Sequence, residues 1–429
     1  MKFVTDLHIH SKYSRATARE MTLDSLAYWA KIKGISLLAT GDFTHPEWLF
    51  LIKEKLEPIG NGFFRLKNIL SPGNEKLNSV SLSPHDVAFI LSTELSFIYS
   101  KKGKVRKIHL LLMAPDFESV DKINSKLSGI GNLRSDGRPI LGMDAKEFLK
   151  MVVNTCPQCV VIPAHVWTPW FSLFGANSGF NDIEECFEEM TPHIFALETG
   201  LSSDPPMNWL LSPLDKYALV SNSDAHSPSK IGREANVFDT DFSYESMIQA
   251  IKSKDPQKFL YTVEFFPQEG KYHYDGHRKC EVTFSPQETI QHRSLCPRCG
   301  KKLTVGVMHR VKNLADREKG EETQAIPYKH LIPLNEIIAQ AIEKSSACKS
   351  TWELYFRFIH EFGDEHKILT EVPVSELSRM SPDKVSLGIE RMRQGKLEIV
   401  PGYDGTFGKI NLFEEKPILQ KDQDQLKLF

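Results

Sequence analysis

Two short strings in this 429-residue chain place metal-binding side chains two residues apart: His8-Ile9-His10 near the start, and Asp224-Ala225-His226 about half-way along. Side chains alternate along a strand with a period of two, so each string turns both of its polar groups to one face. A single His-x-His is weak evidence, because a lone histidine is more often a hydrogen-bonded core residue. Further groups of the same kind, however, close other short apolar runs: Asp42 after 35–40, Glu94 after 88–92 and His165 after 160–163. His109 differs in lying inside its run, Lys107-Ile108-His109-Leu110-Leu111-Leu112. The joint pattern points to a metal site built from His8, His10, Asp42, Glu94, His109, His165, Asp224 and His226. Imidazoles and carboxylates without thiolates suit zinc, manganese or iron better than magnesium or calcium. Eight such groups exceed one ion's needs, which predicts two or three ions and hydrolysis at phosphorus by an activated water, with Asp224 and His226 at the chemistry.

A second constellation is of another kind. His277-x-x-Cys280, a gap of fifteen residues, then Cys296-Pro297-Arg298-Cys299 has the pairwise spacing of a structural zinc site, in surroundings too polar and too short for a core of buried thiols. Cys156-Pro157-Gln158-Cys159 shares the spacing but runs straight into a strand with no second pair nearby, and is read as core packing.

The elements that must position these groups are seven β-branched-rich runs: 2–7, 35–40, 88–92, 108–113, 160–163, 194–197 and 217–220. Between the first two, Thr22 is a plausible helix N-cap, Leu23, Leu26, Ala27 and Ala30 form one apolar stripe, and Gly34 can end the helix. Repeated strand–helix–strand units imply parallel strands, and ligands at the ends of so many strands favour a closed barrel over an open sheet. The expected fold is thus α/β, a (β/α)7 barrel over 1–266. A zinc-binding module follows over 267–312, then a helical C-terminal domain over 313–413 and a charged tail over 414–429. The runs 58–84 and 129–139 read as surface insertions, and Lys101-Lys102-Gly103-Lys104-Val105-Arg106-Lys107 as a basic hairpin turn, either a solvated edge or a phosphate contact.

Composition narrows the class. With 53 Lys and Arg against 55 Asp and Glu, the formal charge of -2 lacks the global basic footprint that often marks nucleic-acid binding, although bound ions would make a metal-loaded face more positive. No stretch approaches the eighteen or so apolar residues of a membrane span, no signal peptide opens the chain, and seven cysteines are an odd number for a disulfide framework. A cytoplasmic protein without membrane partners is expected.

At the level of motifs, Asp6-Leu7-His8-Ile9-His10-Ser11, Thr40-Gly41-Asp42, Glu94, His109, His165 and Asp224-Ala225-His226 resemble those of the PHP (polymerase and histidinol phosphatase) superfamily. That resemblance implies a metal-dependent phosphoesterase with a distorted seven-stranded barrel. Phe43 stands where the superfamily's second motif has histidine, so Asp42 or His45 is left to supply a ligand, and His45 joins the catalytic candidates. The succession of barrel, zinc module and helical domain is more specific. Together with Thr40-Gly41-Asp42-Phe43-Thr44-His45-Pro46, Ala164 to Ser172, Tyr274-Asp275-Gly276-His277-Arg278 and Pro401-Gly402-Tyr403-Asp404-Gly405, it resembles the endonuclease Q family over nearly the whole chain.

The resemblance implies a DNA-repair endonuclease that nicks 5′ of deaminated bases such as uracil and hypoxanthine, with abasic sites as a further candidate substrate, zinc in the module and zinc, Mn²⁺ or Mg²⁺ at the catalytic site. Acting on a base in duplex DNA calls for flipping it into an aromatic pocket. Trp167, Trp170 and Phe171 are candidates to stack on it, or else pack over the barrel mouth. Glu198 and Asn222 could read the base or merely orient metal ligands; Arg233 could clamp a phosphate or make a surface ion pair; Arg391, Arg393 and Lys396 could touch DNA or simply be solvated. Finally, Gln425-Leu426-Lys427-Leu428-Phe429 resembles the peptide by which repair proteins hold the DNA sliding clamp, with Gln425, Leu426, Leu428 and Phe429 as the contacts. Two rival functions are a phosphatase of a small phosphate ester, which has no use for the extra domains, and a noncatalytic clamp-associated DNA-binding protein, which has no use for eight ligands.

Overall fold

The computed structural model describes residues 1–67, 87–320, 325–380 and 383–413. The insertion expected over 58–84 falls partly outside the described residues. The tail, with Gln425, Leu426, Leu428 and Phe429, falls wholly outside them.

Each of the seven expected runs overlaps a strand: β1 (Lys2–Asp6), β2 (Leu37–Ala39), β3 (Ala88–Lys101), β4 (Lys104–Ala114), β5 (Val160–Pro163), β6 (Ala196–Glu198) and β7 (Ala218–Val220). β2, β5, β6 and β7 are buried along their whole length, as strands covered on both faces must be. β1 pairs with β2 and β2 with β3, all parallel, and β6 pairs parallel with β7. The circuit closes at the strand ends. Val166 N donates to Glu198 O (3.0 Å) and Thr199 N to Val220 O (3.0 Å), while Asp224 N donates to His8 O (2.9 Å) and His10 N to Ala225 O (3.1 Å).

One expectation needs correction, because the strands are not all parallel. β4 runs antiparallel to both β3 and β5. The cause is the basic hairpin: Lys102 (φ 51°) and Gly103 (φ 72°) are both left-handed, which makes a two-residue turn, too tight for the crossover that a parallel pair requires. That hairpin is also less solvated than a bare edge. Lys101 is buried against Asp144 (3.3 Å) and Glu188 (3.0 Å), and Arg106 stacks on the Phe180 ring at 4.0 Å. Around the barrel, α1 (Leu23–Lys33) begins after Thr22 and stops where Gly34 turns left-handed (φ 81°), as the apolar stripe predicts.

Outside the ring, β8 (Ala235–Asp239) and β9 (Phe259–Glu264) extend the sheet from β1 in antiparallel steps. Beyond them the chain forms a hairpin of β10 (Asp275–His277) and β11 (Val282–Phe284), with its own small core of Val282, Cys296 and Leu303. It then returns to the barrel, since β12 (Tyr328–His330) pairs parallel with β9. The helices Leu334–Ala341, Lys349–Phe362, Glu365–Thr370, Val374–Met380 and Asp383–Arg393 follow. They pack on the barrel through the buried pair Lys33 and Glu365 and through Trp29 against Trp352 (5.7 Å). Two strings far apart in sequence meet here: the Asp404 carboxylate accepts Arg278 N (2.6 Å) and Thr304 Oγ1 (2.6 Å). Among the described residues no helix is long and apolar enough to cross a membrane.

Candidate metal centre

At the barrel mouth the strand ends converge on one carboxylate, Glu94. It lies in the middle of β3 rather than at its end, because β3 continues to Lys101. Glu94 Oε2 is 3.2 Å from His10 Nε2 and 3.5 Å from His8 Nε2, and His10 Nε2 is 3.0 Å from Asp224 Oδ1. Glu94 Oε1 is 2.6 Å from His109 Nδ1 and 2.8 Å from His165 Nε2. Two ligand groups result, His8-His10-Glu94-Asp224 and Glu94-His109-His165, each with its donor atoms within 4.8 Å of one another.

The donors fit divalent ions on geometry as well as on type. His8 Nε2, His10 Nε2 and Asp224 Oδ1 are buried without a hydrogen-bond partner, a costly arrangement for polar atoms unless something else binds them. The electrostatics agree. Burial alone would lower the pKa of His8 and His10, but Glu198 and Glu94 around the first, and Asp42 and Asp224 around the second, raise both well above the usual imidazole value. Surroundings that draw protons onto imidazoles can hold cations in their place. Asp42, His165 and Asp224 all have left-handed backbones (φ 50°, 30° and 46°), the local strain that often gathers at functional sites.

Behind the ligands stands a layer of orienting groups, and here several expectations change. Asp42 is not in either ligand group: its Oδ1 lies 3.0 Å from His10 Nδ1, and its Oδ2 accepts Ser11 N (2.7 Å) and the hydroxyls of Ser11 (2.7 Å) and Ser14 (2.8 Å). It orients His10. Glu198 does the same for His8, 3.0 Å from Nδ1, and it also accepts His165 N (2.8 Å) and Asn222 Nδ2 (2.8 Å). Asn222 Oδ1 accepts Leu7 N (2.9 Å). Both side chains are wholly buried, so neither is exposed to read a base. His226 stands beside the groups without joining them, its ring 4.6 Å from that of His10 and its Nδ1 2.8 Å from Asp224 O. His45 stacks on Tyr13 at 4.4 Å and keeps a buried Nδ1 with no partner, outside both groups. Arg233 directs two of its donors inward, its Nε and Nη2 donating to Ser223 O (3.1 and 2.9 Å).

The aromatic loop divides. Trp167 is core, buried against Phe174 (4.9 Å) with its indole N–H donated to Asn208 Oδ1 (2.8 Å). Phe171 lies over His109 (4.7 Å), and Trp170 is 51% exposed, 6.2 Å from Tyr272. In the helical region Arg393 donates to the carbonyls of Ile368, Leu369 and Val372, capping a helix rather than facing solvent.

One site residue was not anticipated: Arg138, whose Nη1 lies 2.9 Å from Glu94 Oε2. It comes from the segment read as a surface insertion. The signal available was the Asp136-Gly137-Arg138-Pro139 turn, which holds the arginine in a fixed place.

The second constellation also assembles. His277, Cys280, Cys296 and Cys299 bring their donors within 4.8 Å, with Cys299 Sγ 3.4 Å from His277 Nδ1. Burial opposes ionisation of Cys296, but backbone N–H groups of Arg298 and Cys299 pull its thiol down to about 6, in the direction a thiolate ligand needs.

Comparison with known proteins covers the whole chain. The family model of the MJ0043 C-terminal domain matches residues 333–396. The uncharacterized protein MJ0043 of Methanocaldococcus jannaschii is 33% identical over 258 residues, 58% of this chain, and the match spans only 32% of that relative's length. The uncharacterized protein YqxK of Bacillus subtilis is 31% identical over 424 residues, 95% of this chain and 99% of the relative. Among solved structures, the lesion-specific endonuclease PfuEndoQ from Pyrococcus furiosus superposes with a TM-score of 0.83 at 31% identity, over 97% of this chain and 98% of the other. Endonuclease Q in complex with a 27-mer duplex carrying an abasic lesion at the active site gives 0.81 at 31% identity, over 99% and 100%.

Proposed function

The chain belongs to the endonuclease Q family, and from that premise we propose that it is a DNA-repair endonuclease cutting the phosphodiester 5′ of a damaged nucleotide. The observation that carries this reading is Glu94, whose two oxygens face two separate ligand groups, so that His8, His10, Glu94 and Asp224 would hold one ion and Glu94, His109 and His165 another. Ions held there would supply an acidified water and neutralise charge on the phosphate. In the step itself, water oxygen bonds to phosphorus, the P–O3′ bond breaks, and the proton ends on the departing 3′-oxygen. Glu198, Asp42, Ser96 and Thr168 hold the imidazoles in place meanwhile, at 3.0, 3.0, 2.8 and 3.1 Å from His8, His10, His109 and His165. Zinc is the ion proposed for the cysteine module, and zinc, Mn²⁺ or Mg²⁺ for the mouth.

Three finer assignments belong to the same reading. The barrel occupies 1–266, the zinc module 267–312 and the helical domain 313–413. The damaged base, uracil or hypoxanthine as well as an abasic sugar, leaves the duplex and stacks near Phe171 and Trp170, the aromatic groups at the mouth. The Gln425 to Phe429 string tethers the enzyme to a sliding clamp; clamp binding that survives its deletion would contradict this.

The test of the activity is incubation of end-labelled duplexes holding one deoxyuridine, deoxyinosine or abasic site with the protein and Mn²⁺, Zn²⁺ or Mg²⁺. The expected product is a single nick 5′ of each lesion with a 3′-hydroxyl that a polymerase extends. Release of a free base, or cutting of undamaged duplex at the same rate, would contradict the reading.

A further inference from the structure

The turn before Pro139 brings a single guanidinium to the carboxylate that joins the two ligand groups. Among the described residues Arg138 is the one lysine or arginine in an ion pair with a member of either group, 2.9 Å from Glu94 Oε2. Its side chain is a quarter exposed, so it faces the open mouth as well as Glu94. Its backbone is fixed from three directions: Gly137 N donates to Tyr13 O (3.0 Å), Arg138 N to Asp136 Oδ1 (3.0 Å) and Ser96 N to Pro139 O (3.1 Å). A Cβ at position 137 would collide with the Asp42 carboxylate and the Ser14 hydroxyl. Only glycine therefore lets this turn lie against the group that orients His10, and that close seat is what delivers the next residue to the site.

A rigidly seated arginine is well suited to phosphate, because its planar fork makes paired charge-assisted hydrogen bonds. The ion pair with Glu94 engages Nη1, and the rest of the fork is not committed to it. Glu94 already faces three histidines within 3.2 Å, and burying a further charged group costs energy unless it is used. Arg233 turns its Nε and Nη2 to Ser223 O and pairs with no member of either ligand group among the described residues.

We propose that Arg138 is the phosphate-binding cation of the site: with substrate bound, its guanidinium donates to the non-bridging oxygens of the scissile phosphodiester and holds the charge that builds there as water attacks. This rests on the nuclease reading above. In the free protein the same group sits on Glu94, so phosphate and Glu94 share it.

The test uses wild-type, Arg138→Ala and Arg138→Lys holoenzymes on two abasic-site duplexes. These differ only in a native phosphate or a neutral methylphosphonate at the linkage 5′ of the lesion. Stopped-flow anisotropy reads binding before cleavage. The methylphosphonate is expected to weaken wild-type binding about 10-fold. Arg138→Ala should bind the native duplex several-fold more weakly and lose clearly less than wild type on going to the methylphosphonate, the remainder being the share of the ions. On the native duplex its kcat should fall about 100-fold, more than KM rises. Arg138→Lys, which keeps the charge but loses the fork, should recover part of the binding. An Arg138→Ala protein as sensitive to the methylphosphonate as wild type would overturn the proposal, as would full kcat in that variant. Wild-type protein that neither binds nor cuts the abasic duplex would instead sink the nuclease reading, and this proposal with it.

Discussion

The barrel mouth and the cysteine module both gather metal ligands, but they hold them in opposite ways. At the mouth every imidazole has a protein partner of its own: Glu198 for His8, Asp42 for His10, Ser96 for His109 and Thr168 for His165. The intervening residues Leu7, Ile9 and Ala225 are buried in the main core. In the module the core is Val282, Cys296 and Leu303, so one of its three residues is itself a ligand, and Cys299 is exposed. At the mouth the scaffold holds the ligands, whereas in the module the metal must hold the scaffold.

Three substitutions probe this contrast. The largest effect is expected at Glu94, which serves both ligand groups: Glu94→Gln should lower kcat on the order of 10³-fold, with the melting temperature little changed because shape is kept. Metal counting and a thermal melt check it, and a variant that keeps its activity would break the role given to Glu94 in both groups. Next comes Cys296→Ser, which should cost one zinc equivalent and the binding energy on the order of 10 kcal/mol that folds the module. Hydrogen exchange should rise across 267–312 and leave the barrel strands protected. Loss of protection in the barrel instead would mean that the two regions fold as one.

The smallest effect lies in the barrel's supporting sheet. Glu264 closes β9 wholly buried, and burial, followed by the nearby Asp204, raises its pKa from 4.5 to about 7 against the Thr262 hydrogen bond. A carboxyl with a raised folded-state pKa stabilises fully below its ordinary value and loses that contribution as pH rises through the folded one. The melting temperature of the barrel should therefore fall between pH 5 and about 7, and Glu264→Gln should flatten the slope. A slope that persists in the variant would assign it elsewhere.

Much of this was legible in the chain. Short apolar runs located all seven ring strands, and period-two alternation put His8 and His10 side by side, whereas of the pair Asp224 and His226 only Asp224 enters a ligand group. Pairwise cysteine spacing located the module. What periodicity cannot convey is which polar group is nearest the metal and which stands behind it. Asp42 and Asp224 each follow a strand end with a left-handed backbone, yet Asp42 turns to Ser11, Ser14 and His10 while Asp224 enters the ligand group. Position at a strand end left two roles open for Glu198 and Asn222, and their buried hydrogen bonds match the orienting one. Arg138 was missed because an insertion has no period to read; its place depends on Gly137 fitting against residues 95 positions away or more.

The central claim, that the barrel mouth is the nicking site, is tested most directly with one labelled duplex. Wild-type protein and Asp224→Ala, both zinc-replete in the module, are compared on an end-labelled duplex with a single abasic site while lesion binding is followed in parallel. The account predicts one nick 5′ of the lesion by wild type, none by Asp224→Ala, and comparable binding and melting temperature for both. Nicking by Asp224→Ala at the wild-type rate would contradict it.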